Sequence, residues 1–318
     1  MIDSRVMIEF RGLFRHFGQT KAVDGVSLSV QRGTVFGFIG PNGAGKTTSM
    51  RILATLDQPT AGDAFVDGFS VVEDPDRVRH RLGFMPDYMG TYPNVNVREY
   101  LDFFARAYRL RGARRERAVE EVMGFTGLDI LAEKPTDGLS KGMRQRLCLG
   151  RALIHDPAVL VLDEPAAGLD PRARIELREM IRALAANGKT VLISSHILTE
   201  LAEVCDTVGI IEQGRLLAVG AVDEIQHPRH KSKQSQNVVE IRLIGDAHAA
   251  AQWLAGNASI EQLQTDGQKI SFLFGGDLSK QAELLRAMVL ADFCVTAFGS
   301  RRQSLEDVFM QVTEGLVQ

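Results

Sequence analysis

Gly40-Pro-Asn-Gly-Ala-Gly-Lys-Thr-Thr48 is the stretch from which this chain is best read. It fits G-x-x-x-x-G-K-[ST], a loop that cradles phosphates. Before it, Val35-Phe-Gly-Phe-Ile39 is a short apolar run; after it, Thr47 to Leu56 reads as a helix. Glycines let such a loop fold tightly enough for several N–H groups to face one anion. The helix that follows presents its positive end to the same point. Gly40, Pro41, Asn42, Gly43, Ala44 and Gly45 are therefore expected to form the cradle. Lys46 would face the β and γ phosphates, Thr47 would ligate Mg²⁺ and Thr48 would reach the α phosphate. A glycine-rich turn without a ligand is the competing reading, and the strand-loop-helix context weighs against it.

Further along, Val159-Leu-Val-Leu-Asp-Glu-Pro165 ends an apolar run in two carboxylates. Ligands of open α/β sheets bind at the C-terminal edge of the strands. There Asp163 could hold Mg²⁺ through water, and Glu164 could orient or deprotonate an attacking water. The same two residues could simply cap the next helix. Thr190-Val-Leu-Ile-Ser194 is another buried strand. Short apolar strands alternating with helices predict an α/β fold with a sheet covered on both faces.

Between about residues 88 and 137 the character changes. Val97 to Leu110 and Arg115 to Thr126 look helical, with Tyr100, Phe103, Phe104 and Ala107 spaced along one face and Val119, Val122 and Met123 along another. This predicts a helical insertion. Residues 227–237 are polar and begin with His227-Pro228, as a linker would. Beyond them strands are expected at Val238–Ile244, Ile260–Gln264, Lys269–Phe274 and Cys294–Phe298. Helices are expected at Ala247–Ala255, Ser279–Ala291 and finally Leu305–Thr313, with a hairpin turn at Thr265-Asp-Gly267. The order β-α-β-β-α-β resembles a ferredoxin-like unit. The expected domains are 1–226, a linker at 227–237, and a small α+β domain at 238–318.

Bulk properties narrow the function classes. The 318 residues are 45% hydrophobic and 24% charged, ordinary for a globular protein. A formal net charge of −3 gives no footprint for nucleic acid, and none is expected as a partner. Cys148, Cys205 and Cys294 match no metal spacing and read as reduced thiols. No apolar stretch approaches the length that spans a bilayer, and the start lacks a signal-peptide core, so a cytoplasmic location is expected.

Together the motifs resemble the ATP-binding cassettes of ABC ATPases over about residues 6–222. Leu139-Ser-Lys-Gly-Met-Arg-Gln-Arg146 is similar to the signature motif, Ala167-Gly-Leu-Asp170 to the D-loop, and His196 to the switch histidine. Phe17 stands where the family stacks an aromatic on adenine. Taken singly, Ser140 and Gly142 would be a helix cap, His196 a packed or surface histidine, and Phe17 core. The resemblance implies a P-loop NTPase fold, ATP and Mg²⁺ as cofactors, and two chains sandwiching two nucleotides head to tail. Ser140, Lys141, Gly142 and Asp170 would then serve the partner's ATP, with Glu164 and His196 catalytic. It also implies a separate membrane-spanning permease and a peripheral place on the inner face of the cytoplasmic membrane.

The chain departs from the family pattern in three places. In Gly83-Phe-Met-Pro-Asp87, Asp87 replaces the usual glutamine and becomes a candidate catalytic residue and Mg²⁺ ligand. Lys141 replaces a glycine and Met143 a glutamine of the signature. The tail Ser304-Leu-Glu-Asp-Val-Phe309 resembles the ABC-2 class, which implies export. An importer subunit, a soluble ABC ATPase acting on DNA or ribosomes, and a binding-only regulator are the alternatives. Tyr88, Met89, Tyr92 and Pro93 are expected to line a socket for the permease or to form the insertion's own core. The basic run Arg109–Arg117 could face lipid head groups or be a solvated turn.

Overall fold

The computed structural model describes residues 5–88, 90, 92–197, 201–222 and 237–301. The chain divides into two compact units, Met1–Ala221 and Val222–Gln318. Met89, the tail motif 304–309, the last predicted helix and linker residues 227–236 lie outside the described residues.

The first unit opens with β1 (Val6–Phe17) and β2 (Thr20–Gln31), an antiparallel hairpin, followed by β3 (Val35–Ile39) and α1 (Lys46–Leu53). Next come β4 (Ala61–Val66), β5 (Phe69–Ser70), α2 (Pro75–Arg81), β6 (Leu82–Met85), α3 (Val97–Ala107), α4 (Gly112–Thr126) and α5 (Lys141–Leu153). The unit ends with β7 (Val159–Leu162), α6 (Pro171–Ala186), β8 (Thr190–Ser195), β9 (Thr207–Glu212) and β10 (Arg215–Ala221).

Two sheets result. One has the order β2-β1-β4-β5 and is antiparallel. The other has the order β10-β9-β3-β8-β7-β6, parallel from β9 to β6. Strands β3, β7 and β8 are buried along their whole length, as strands covered on both faces must be. In β2 burial alternates instead, because only one face of that sheet meets the core. Phe10, Leu13, Val26, Phe36, Phe38, Met50, Leu53 and Val159 belong to one apolar cluster contributed by both sheets and α1. That burial anchors α1, and with it the loop at its N-terminus.

Helix α1 stops short of the predicted Leu56, since Thr55 turns left-handed at φ 59° and the Leu56 N–H reaches back to the Arg51 carbonyl. Helix α3 stops before Leu110 in the same way, with Arg109 at φ 61°. Its start is secured by a capping box in which Asn96 and Glu99 exchange side-chain to backbone hydrogen bonds of 2.8 and 2.9 Å. Its buried face is Val97, Tyr100, Leu101 and Ala105, whereas Phe103 and Ala107 are exposed. Helix α4 begins at Gly112, earlier than predicted, and buries Val119, Val122 and Met123. Helix α5 packs on α3, α4 and β6, and so joins the helical segment to the main sheet.

His155, just past α5, also makes that join. Its ring stacks on Tyr108 at 3.8 Å and 5°, and its Nε2 lies 3.2 Å from the Leu82 carbonyl at the start of β6. The neutral Nε2–H tautomer satisfies that carbonyl, while the unprotonated Nδ1 is buried with no donor among the described residues. Burial pushes the His155 pKa down to about 4; His80 and Lys189 add to this, while the Leu82 hydrogen bond and Asp156 oppose it. The unfolded chain, with a pKa near 6.5, therefore takes up the proton first as pH falls. Stability is lost between about pH 6.5 and 4, by roughly 2–3 kcal/mol for this partly shielded ring. Urea unfolding at pH 7 and 4.5 tests this. His155→Phe keeps the stack and is expected to lose less stability between the two pH values than wild type; parallel losses would exonerate His155.

The second unit contains β11 (Asn237–Ile244), α7 (Ala247–Ala255), β12 (Ile260–Asp266), β13 (Lys269–Phe274), α8 (Leu278–Leu290) and β14 (Cys294–Arg301). Its antiparallel sheet has the order β12-β13-β11-β14. Val239, Ile241, Ile270 and Phe272 pack with Ala250, Leu254, Leu284 and Met288 in its own core.

Candidate functional site

The parallel strands β3, β8, β7 and β6 are neighbours, so their C-terminal ends form one edge. Residues 40–46 leave β3 there, Ser194–His196 leave β8, Asp163 and Glu164 leave β7, and Asp87 follows β6.

Two glycines of the loop have no substitute. Gly45 has φ 104°, and a Cβ on it would fall 2.3 Å from the Ala22 carbonyl oxygen of β2. A Cβ on Gly40 would fall 2.2 Å from the Ile211 carbonyl of β9. Lys46 is only 5% exposed. Its Nζ donates to the Gly40 and Pro41 carbonyls at 2.6 and 3.1 Å and lies 3.5 Å from Glu164 Oε1. Among the loop's hydroxyls, Thr47 is exposed and Thr48 half-buried.

Asp163 is 1% exposed. Its Oδ1 accepts from Ser194 Oγ at 2.6 Å, while Oδ2 is buried with no hydrogen-bond partner among the described residues. Burial holds its pKa above the usual carboxylate range; Ser194 and Thr47 pull the other way, and the charges of Asp87 and Glu164 add to the rise. Thr47 stands close enough to act on Asp163 without closing a bond to Oδ2. A buried carboxylate oxygen with nothing to accept, beside a hydroxyl and two more carboxylates, suits a divalent cation. Among the described residues no three His, Cys, Asp or Glu side chains are grouped closely enough to hold a metal alone. A cation held here would therefore need further oxygen ligands from outside the protein.

Glu164 has φ 48°, a left-handed backbone uncommon for a residue with a side chain. Its N–H donates to Ser194 Oγ at 2.9 Å, which helps hold the turn. Its Oε2 lies 2.8 Å from His196 Nδ1, and its Oε1 faces Lys46 without a formed hydrogen bond. Ser194 thus binds both acidic residues at once. Sequence reasoning passed over it; the available signal was a hydroxyl at the end of the strand that leads into His196.

Phe17 ends β1 beside a two-residue turn and is 49% exposed. The other motifs gather elsewhere in the unit. Ser140 caps α5, its Oγ accepting from the Met143 N–H at 3.3 Å. Gly142 lies close to Ala173 of α6. The Lys141 ammonium rests against Gly168, where an added Cβ would come within 2.3 Å of it. Asp170 caps α6 by accepting from the Ala173 N–H at 2.9 Å. Lys141 therefore meets Gly168, and Gly142 the first turn of α6, of their own chain. Tyr88 is 80% exposed and Tyr92 52%, and Tyr92 packs against Tyr100 and Phe103.

Comparison with known proteins follows the same lines. The ABC transporter family model matches residues 23–167. The Nod factor export ATP-binding protein I of Ralstonia nicotianae is 35% identical, over 98% of this chain and 95% of its own. The daunorubicin resistance ATP-binding protein DrrA3 of Streptomyces coeruleorubidus is 35% identical, over 98% of this chain and 97% of its own. A solved ATP-binding subunit of an ABC transporter superposes with a TM-score of 0.63 at 30% identity, covering 69% of this chain and 92% of that one. Another, cbiO1 from Clostridium perfringens, described as part of the ABC transporter complex cbiONQ, gives 0.62 at 26%, covering 70% of this chain and 90% of that one.

Proposed function

We infer the function from one premise: this chain belongs to the ABC transporter family, as an ATP-binding and ATP-hydrolysing subunit. It energises an exporter, with a membrane permease as its partner. Among the described residues no helix is long and apolar enough to cross a membrane, so the permease is read as a separate chain. The observation that carries the chemistry is Glu164, held between His196 Nδ1 and Lys46 Nζ at the edge where the phosphate loop opens.

The residues divide the work of hydrolysis. The N–H groups of residues 40–48 and the Lys46 ammonium bind the phosphates. Mg²⁺, when bound by Thr47, Asp163 and the phosphates, offsets charge on the transferred group. His196 holds Glu164 Oε2, which leaves Oε1 to accept a proton from water. The water oxygen bonds to the γ phosphorus, the bond to the bridging oxygen breaks, and ADP leaves. Asp87 stands close enough to act on Asp163, and we assign it to the metal's outer surroundings.

Two copies are proposed to close head to tail over two nucleotides, each offering Ser140, Lys141 and Gly142 to the other's ATP. The carboxylate of Asp170 is committed to capping α6, so its contribution across the dimer is to shape the loop. Phe17 is assigned to stacking on adenine, which its exposure permits. The β-α-β-β-α-β unit is read as a ferredoxin-like accessory domain, and the subunit as peripheral on the cytoplasmic face of the membrane.

Co-purification from native membranes with the full chain as bait tests the assignment. A multi-spanning protein is expected in a 1:1 ratio by mass spectrometry. Ribosomes, DNA or no membrane protein would move the same ATPase chemistry to a soluble role.

A further inference from the structure

Arg15 has no part in the chemistry above, yet its guanidinium carbon lies 4.4 Å from the centroid of the Phe17 ring. The same guanidinium contacts Asp57 at 2.8 Å. Asp57 follows closely on the end of α1, the helix whose first residue is Lys46. The neighbouring backbone is stitched to the same segment: the His16 N–H donates to Thr60 Oγ1 at 3.0 Å, and the Thr60 N–H to the Phe14 carbonyl at 2.7 Å. The Ala22 carbonyl at the start of β2 closes against Gly45. The hairpin that carries Phe17 is thus tied to both ends of α1, the helix that the phosphate loop opens.

We propose that Arg15 is a positioning residue for the nucleobase: stacked on one face of Phe17 and anchored by Asp57, it presents the other face to adenine at a set distance from the phosphate loop. The inference rests on reading Phe17 as the base platform. A phenyl ring next to a two-residue turn has free rotation to lose on binding, and a planar cation on one face removes that freedom beforehand. Arg15 Nε is buried with no acceptor among the described residues, a cost that a purely structural ion pair would avoid by staying hydrated. The flat guanidinium matters here, since an ammonium can keep the Asp57 pair but cannot stack as a plane.

The test compares a ligand with a base and one without. Mg²⁺-ATP and Mg²⁺-tripolyphosphate are titrated calorimetrically into the full chain and into Phe17→Ala, Arg15→Ala and Arg15→Lys. Arg15→Ala is expected to weaken ATP by about fivefold while leaving tripolyphosphate unchanged, with Arg15→Lys in between. Unchanged tripolyphosphate binding also certifies that each variant is folded at the loop. If Phe17→Ala binds ATP like wild type, the platform reading itself fails. If Phe17→Ala weakens ATP and Arg15→Ala does not, the platform stands and the role of Arg15 is overturned. Equal loss of both ligands would reduce Arg15 to a structural tie. Tighter ATP binding by Arg15→Ala would mean that it occupies the base's own face, which also overturns the proposal.

Discussion

Glu164→Gln is expected to cut steady-state ATP hydrolysis by about a hundred- to a thousandfold, the usual contribution of a positioned general base, while ATP still binds. The amide keeps the shape of the carboxylate and can still meet His196 at the 2.8 Å now spanned by Oε2. The turn at φ 48° is held from the backbone by Ser194, so it does not depend on the side chain's charge. What disappears is a site that can accept the water's proton. The substitution also removes one of the negative charges crowding Asp163, which eases the approach of the γ phosphate. Nucleotide should therefore be retained, and ATP-bound dimer should accumulate. Phosphate release assayed beside light scattering in ATP reads both effects. Turnover at the wild-type rate would show that Glu164 is not the base.

Lys46→Met has the second large effect, on binding. The ammonium is nearly fully buried and makes two carbonyl contacts besides facing Glu164. Methionine fills the volume but supplies no donor, so the Gly40 and Pro41 carbonyls lose a partner and Glu164 Oε1 loses the ammonium that faces it. The ATP complex loses the ammonium's charged contact to the phosphates, which costs about 3 kcal/mol, roughly a hundredfold in ATP affinity. Calorimetric titration with Mg²⁺-ATP measures it. An affinity within a few fold of wild type would mean that the backbone N–H groups alone bind the phosphates.

How much of this was legible depends on how local each feature is. The phosphate loop could be read because its chemistry lies in consecutive residues: the φ of 104° at Gly45 demands glycine whatever surrounds it. The acidic pair after Val159–Leu162 and the histidine after Thr190–Ser194 were equally readable, since buried strands announce themselves as apolar runs and their polar ends follow. The helical segment at 97–126 was visible in its periodicity, whereas its neighbours decide which of the spaced apolar residues are buried: Tyr100 is enclosed, and Phe103 and Ala107 stay exposed.

The amino-acid sequence by itself determined the glycine-rich loop between β3 and α1 and the strand ends that bring Asp163, Glu164 and His196 forward. Only the tertiary structure decided the antiparallel sheet β2-β1-β4-β5, the bridging of Asp163 and Glu164 by Ser194, the resting of Lys141 on Gly168, and the stack of Arg15 on Phe17. The physical reason is the range of the contact. A turn or a capped helix is specified by neighbours along the chain, whereas strand pairing and side-chain bridges join residues far apart in sequence and are settled only when the core between them packs.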